Sequence, residues 1–93
     1  MMILSARERE VLSLACLSNE EIASRLNLTE GTIKFMFAEM RHKLKVKNRT
    51  ALVIKAIQLG EIQIADMGFY TPLGDYIPDL QLVHLSGESG KND

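Results

Sequence analysis

The sequence predicts an all-α fold: a four-helix domain over residues 3–62 with an irregular extension after it. Three observations carry that expectation. Apolar residues recur at helical spacing in four successive segments, and a capping residue (Ser5, Ser18, Thr29 or Asn48) stands before each one. Turn signals gather after Gly60, where Thr71-Pro72, Leu73-Gly74-Asp75 and Ile77-Pro78-Asp79 interrupt any regular element.

The first helix starts at Ala6. Ser5-Ala6-Arg7-Glu8 forms a capping box in which the serine hydroxyl takes the Glu8 amide and the Glu8 carboxylate reaches back to Ser5. Val11, Leu12, Leu14 and Ala15 are its expected buried side. Ser18-Asn19-Glu20-Glu21 repeats the box and starts a second helix at Asn19, with Ile22, Ala23 and Leu26 as its apolar edge. Asn27-Leu28-Thr29 leaves room only for a sharp crossing, and Thr29 caps the third helix, where Glu30 suits the positive helix end.

At about 100° per residue, Ile33, Phe37, Met40 and Leu44 fall in one narrow sector of the third helix. Lys34, Ala38, Arg41 and Lys45 fall together about a quarter turn away. One face packs, and the other is free to meet a phosphate backbone and base edges. This two-helix grammar is that of a helix-turn-helix. Hydroxyls and free amides at a helix start also make good phosphate donors, so Thr29 and Thr32 are candidate phosphate contacts as well as caps.

Asn48 caps a fourth helix, expected from Arg49 to Leu59 and ended by Gly60. Leu52, Ala56 and Leu59 make one apolar side, suited to the core. Val53, Ile54 and Ile57 make another, which suits either a dimer contact or a surface covered by the extension. The middle of the extension, residues 63–85, is too apolar for a linker: Phe69, Tyr70, Leu73, Tyr76, Ile77, Leu80, Leu82 and Leu85 call for packing on this domain or a partner. Residues 80–85 read as one short strand. Residues 86–93 are small and polar and read as disordered.

The net charge of −1 hides a segregation. Residues 1–62 hold ten Lys and Arg against seven acids, whereas residues 63–93 hold one Lys against five. Between Lys34 and Lys55 there are seven basic residues and one acid, which suits either a nucleic-acid footprint or a solvated basic surface. No run of about 18 apolar residues is present to span a membrane, and no signal-peptide pattern opens the chain, so a cytoplasmic protein is expected. The single cysteine, Cys16, has no disulfide partner and no metal-ligand neighbours, and is expected to be a buried thiol. No nucleophile paired with a histidine, no metal cluster and no glycine-rich phosphate loop appears, so neither an enzyme nor a cofactor is expected.

Four blocks then stand in order: Leu4-Ser5-Ala6-Arg7-Glu8-Arg9-Glu10-Val11-Leu12; Ser18-Asn19-Glu20-Glu21-Ile22-Ala23; Thr29-Glu30-Gly31-Thr32-Ile33-Lys34; and Lys43-Leu44-Lys45-Val46-Lys47-Asn48-Arg49-Thr50-Ala51. Together they resemble the LuxR/GerE-type helix-turn-helix domain across residues 3–62. The resemblance implies a DNA-binding domain whose third helix enters the major groove and whose fourth helix commonly pairs two subunits. By that likeness Thr29, Thr32, Lys45, Lys47 and Arg49 fall where the family touches phosphates, and Arg41 shares their basic face. Lys34, Phe35 and Ala38 fall where it meets base edges. The sequence departs from the family in a shorter link between the first two helices. It departs again at Phe35-Met36-Phe37-Ala38, where the family commonly has a histidine second and a polar residue fourth. Phe35 then suits either thymine methyl groups or a protein contact.

The expected function is transcriptional regulation by a homodimer on double-stranded DNA, through Val53, Ile54 and Ile57 as the dimer contact. RNA polymerase is a further partner if the role is activation. A helix-turn-helix turned protein-interaction module, with its DNA face covered by the acidic extension or a partner, is the alternative. Met1 stands directly before the first block, which reads as a complete chain rather than a fragment.

Overall fold

The computed structural model describes residues 2–78 of the 93. Four helices run in order: α1 (Ala6–Ser13), α2 (Asn19–Leu26), α3 (Glu30–Leu44) and α4 (Arg49–Gln58). A single turn of 3-10 helix over Ile64–Asp66 and a small antiparallel hairpin, β1 (Phe69–Tyr70) with β2 (Tyr76–Ile77), follow. The strand expected over 80–85 and the polar end over 86–93 lie outside the described residues.

Both capping boxes form. Glu8 N donates to Ser5 Oγ at 3.0 Å while Ser5 N donates to Glu8 Oε1 at 2.8 Å, and Ser18 with Glu21 repeats the exchange at 3.1 Å each way. Thr29 and Asn48 cap α3 and α4. The C-terminal ends share a second device. Asn27, Lys45 and Gly60 each turn left-handed, with φ of 57°, 59° and 73°. In each case the next amide reaches back to a carbonyl five residues earlier: Leu28 to Ala23, Val46 to Arg41 and Glu61 to Ala56. Asn tolerates this region and Gly enters it freely, whereas Lys45 enters it against its Cβ.

The core is built around α3, which packs on α1, α2 and α4. Ile33, Phe37, Met40 and Leu44 are all buried against Leu4, Val11, Leu12, Leu17, Ile22, Leu52 and Ala56. Each such side chain contributes about 1.5–3 kcal/mol by leaving water, so this one stripe fixes how α3 sits and which face it turns outward. The buried Glu61 carboxylate closes the domain by accepting from the Ile3 and Leu4 amides, both at 2.8 Å. Start and end of the four-helix unit are thereby tied together.

Ile62 and Met67 enter the same core. Gly68 N donates to the Ser13 carbonyl at 2.9 Å, which anchors the extension to the end of α1. A Cβ at Gly68 would stand 1.8 Å from Tyr76 Oη, so only glycine admits that ring. Arg25 covers the other part of Tyr76, its guanidinium carbon 4.8 Å from the ring centre, and Tyr70 meets the ring edge-on.

Four expectations differ in detail. Cys16 is exposed, because α1 stops at Ser13 and Leu17 takes the buried place in the connection. Leu14 and Ala15, on that same connection, are half-buried and not core. The fourth helix ends at Gln58, one residue early. Leu59 is then its cap at 49% exposure, and the reversal at Gly60 carries it away from the core side shared by Leu52 and Ala56. The segment read as turns carries the hairpin, its loop held by Thr71 N to Asp75 O at 2.8 Å and by Asp75 N to Thr71 Oγ1 at 3.2 Å.

Candidate nucleic-acid interface

Burying one stripe of α3 leaves Glu30, Gly31, Thr32, Lys34, Phe35 and Ala38 exposed on its N-terminal half. At the entry, Thr29 Oγ1 accepts from the Thr32 amide at 3.1 Å and lies 2.8 Å from Thr32 Oγ1. Both hydroxyls are at the surface. The Ile33 amide bonds the Thr29 carbonyl, which leaves the amides of Glu30 and Gly31 as the outward donors of the first turn. A helix start of this kind is suited to a phosphate oxygen, with the Glu30 carboxylate as a local opposing charge.

Beside it, Asn19, Lys34, Phe37, Arg41 and Arg49 line a notch of about 70 Å³. Arg49 lies across the floor. Its guanidinium carbon is 3.9 Å from the Phe37 ring centre, and its Nη2 donates to Asn19 Oδ1 at 2.9 Å. Its Nε is buried without a partner among the described residues. Burial, and after it the charge of Arg41, lowers the pKa of Arg49 below its ordinary value. Arginine remains charged at any physiological pH. The notch therefore gathers three cations and an unspent donor, an arrangement that an anionic oxygen would relieve.

Two of those participants were missed in the sequence. In sequence Asn19 reads only as the first residue of α2, and Phe37 only as core. Phe37 fills both places at once, with 3% exposure and a face beneath Arg49. Lys45 and Lys47 are exposed at the far end of α3 and in the connection to α4. Lys43 is turned elsewhere, its Nζ 2.8 Å from Glu8 Oε1. Burial raises the Glu8 pKa, but the hydrogen bonds from Lys43 and Ser5, with the Lys43 charge, outweigh it, so the carboxyl lies below its ordinary 4.5.

The α4 residues Val53, Ile54 and Ile57 follow Arg49 along the helix, Val53 and Ile54 sharing a shallow pocket with it. Val53 and Ile57 are half-buried, and Ile54 is 52% exposed. Val53 and Ile57 line an apolar groove of about 400 Å³ with Cys16, Ile64, Met67, Gly68 and Phe69. The extension thus forms one bank of the groove and leaves it open.

Among the described residues no group of His, Cys, Asp and Glu is placed to hold a metal ion, and no helix is long and apolar enough to cross a membrane.

The model of the family described as "Bacterial regulatory proteins, luxR family" matches residues 2–56. The chain is 34% identical over 64 residues to the spore germination protein GerE of Bacillus subtilis, a match covering 67% of this chain and 86% of that protein. It is 43% identical over 63 residues to the HTH-type quorum sensing-dependent transcriptional regulator RpaR of Rhodopseudomonas palustris, covering 66% of this chain and 26% of that one. A solved structure of the transcription factor GerE matches with a TM-score of 0.63 at 28% identity, over 66% of this chain and 94% of that one. Against the longer regulators it matches, the chain spans only 24% to 28% of their length.

Proposed function

The chain belongs to the luxR family of bacterial regulatory proteins, and from that premise we propose that it lays the outward face of α3 in the major groove of DNA as one half of a homodimer. Relatives it matches are described as transcriptional regulators, and the family is one of bacterial regulatory proteins, which supports reading this chain as a DNA-binding regulator.

The observation that carries the finer reading is the notch. Three cations converge beside the one α3 face that the core leaves free, so a duplex seated on that face meets phosphate-binding charge at its edge. Lys34, Phe35 and Ala38 then read bases, while Thr29, Thr32, Arg41, Lys45, Lys47 and Arg49 hold the backbone. Val53, Ile54 and Ile57, continuous with the apolar bank of Ile64, Met67 and Phe69, supply the second-copy contact. Such a protein acts in the cytoplasm, and an activating role would add a contact with RNA polymerase.

Two substitutions test the docking face by duplex-binding titrations. Lys34→Ala is expected to cost about 1–3 kcal/mol on a preferred site and to relax preference at particular base pairs. Lys47→Ala is expected to weaken all duplexes alike and to reduce the salt slope by about one. Unchanged affinity in both variants would mean that DNA docks elsewhere.

A further inference from the structure

We infer that Phe35 is a specificity-determining residue that reads the C5-methyl group of thymine, so that the half-site centre is chosen by an apolar contact rather than by a bidentate hydrogen bond. This rests on the reading that α3 enters the major groove.

At about 100° per residue, Phe35 lies almost diametrically opposite the middle of the buried stripe of Ile33, Phe37, Met40 and Leu44, and it is 65% exposed. Its helical neighbours on that side, Gly31, Thr32, Ala38 and Glu39, include no large apolar side chain. One turn earlier stands Gly31, where even an added Cβ would meet nothing nearer than Thr29 Oγ1 at 4.0 Å. Ala38 stands one turn later. A side chain on a helix leans over the turn before it, so the ring projects above a glycine and is the tallest apolar feature of the face.

The donors and acceptors of that face come next. Of the outward residues from Thr32 to Ala38, only Lys34 is a long hydrogen-bonding side chain, and a lysine carries donors alone. No asparagine, glutamine or arginine stands there to make a two-point contact with adenine or guanine. The apolar feature that a base pair of unmodified DNA shows in the major groove is the methyl of thymine.

A protein partner is the other occupant an exposed ring can have, and its surroundings argue against it. The other large exposed apolar residues, Met2, Ile3, Ile54, Leu59, Ile64, Tyr70 and Leu73, all lie on other elements. Phe35 is instead set among Gly31, Thr32, Ala38 and Glu39 on its own helix, with Lys34 next to it in sequence. A single ring among small and polar residues is not the contiguous apolar patch that a protein contact requires, but it is enough for one methyl group.

The test separates the two claims. Duplexes selected by the full chain from a randomised pool are resynthesised with deoxyuridine for each thymine in turn, which removes the methyl and leaves the base pairing unchanged. The expected result is a thymine at the centre of each half-site whose replacement weakens binding about four-fold, on the scale of one buried carbon. Phe35→Ala, a surface change on a well-capped helix, should bind the thymine and uracil duplexes equally. Selection of sites in which no uracil substitution matters, or equal sensitivity in Phe35→Ala, would overturn the role of Phe35 while leaving the DNA-binding reading intact. No enrichment of any duplex would overturn both.

Discussion

The outward face of α3 and the outward face of α4 both expose apolar side chains, yet their neighbours give them opposite character. Phe35 stands alone among small and polar residues. Val53 and Ile57 continue into Ile64, Met67 and Phe69, with no charged residue in the lining of that groove. Exposure alone is therefore uninformative. What surrounds an exposed ring or methyl decides whether a polyanion or another apolar surface suits it.

Substitutions on each face should fail in different ways. The largest effect is expected from Ile54→Glu. A charge at this 52% exposed position leaves the monomer core untouched but forbids an apolar contact between two copies. Sedimentation should show a shift to monomer, with site affinity more than about ten-fold weaker once the second half-site contact is lost. An unchanged mass would put the dimer contact elsewhere.

On the α3 side, Lys45→Gly separates charge from backbone. The left-handed φ of 59° is unfavourable for lysine and free for glycine, so the variant should gain about 0.5–1 kcal/mol in denaturant melts while binding duplex DNA more weakly. A gain in stability with no loss of binding would remove Lys45 from the phosphate contacts.

The smallest effect concerns Glu8, whose partner Lys43 is the cation diverted from the interface. Because the folded Glu8 pKa is lowered, its ionised form is favoured by folding. That contribution is present above the ordinary 4.5 and is lost as pH falls through the lower folded value. Glu8→Gln keeps the capping-box acceptor and should cost at most about 1 kcal/mol at pH 7. Its stability should also fall less than that of the parent chain on acidification below pH 4.5. Equal acid sensitivity would assign the pH dependence to other carboxylates.

Most of the four-helix unit was legible because its signals are local. Ser5, Ser18, Thr29 and Asn48 act through hydrogen bonds within three residues, and the α3 stripe follows from periodicity alone. What was not legible depends on distance along the chain. Asn19 and Arg49 are 30 residues apart, and their bond exists only once α2 and α4 have packed on α3. The two-residue strands Phe69–Tyr70 and Tyr76–Ile77 are too short to show alternation, and the glycine that seats Tyr76 reads in sequence as a turn. At Leu59, a helix ending one residue early was enough to move a residue from core to surface.

The central claim, that the cations around α3 meet phosphate, is tested most directly by fluorescence anisotropy of a mixed-sequence duplex with the full chain across a salt series. Neutralisation of several phosphates predicts log affinity falling linearly with log salt, at a slope of about −0.9 for each phosphate contacted. Affinity that did not change with salt, or no binding at the lowest salt, would contradict it.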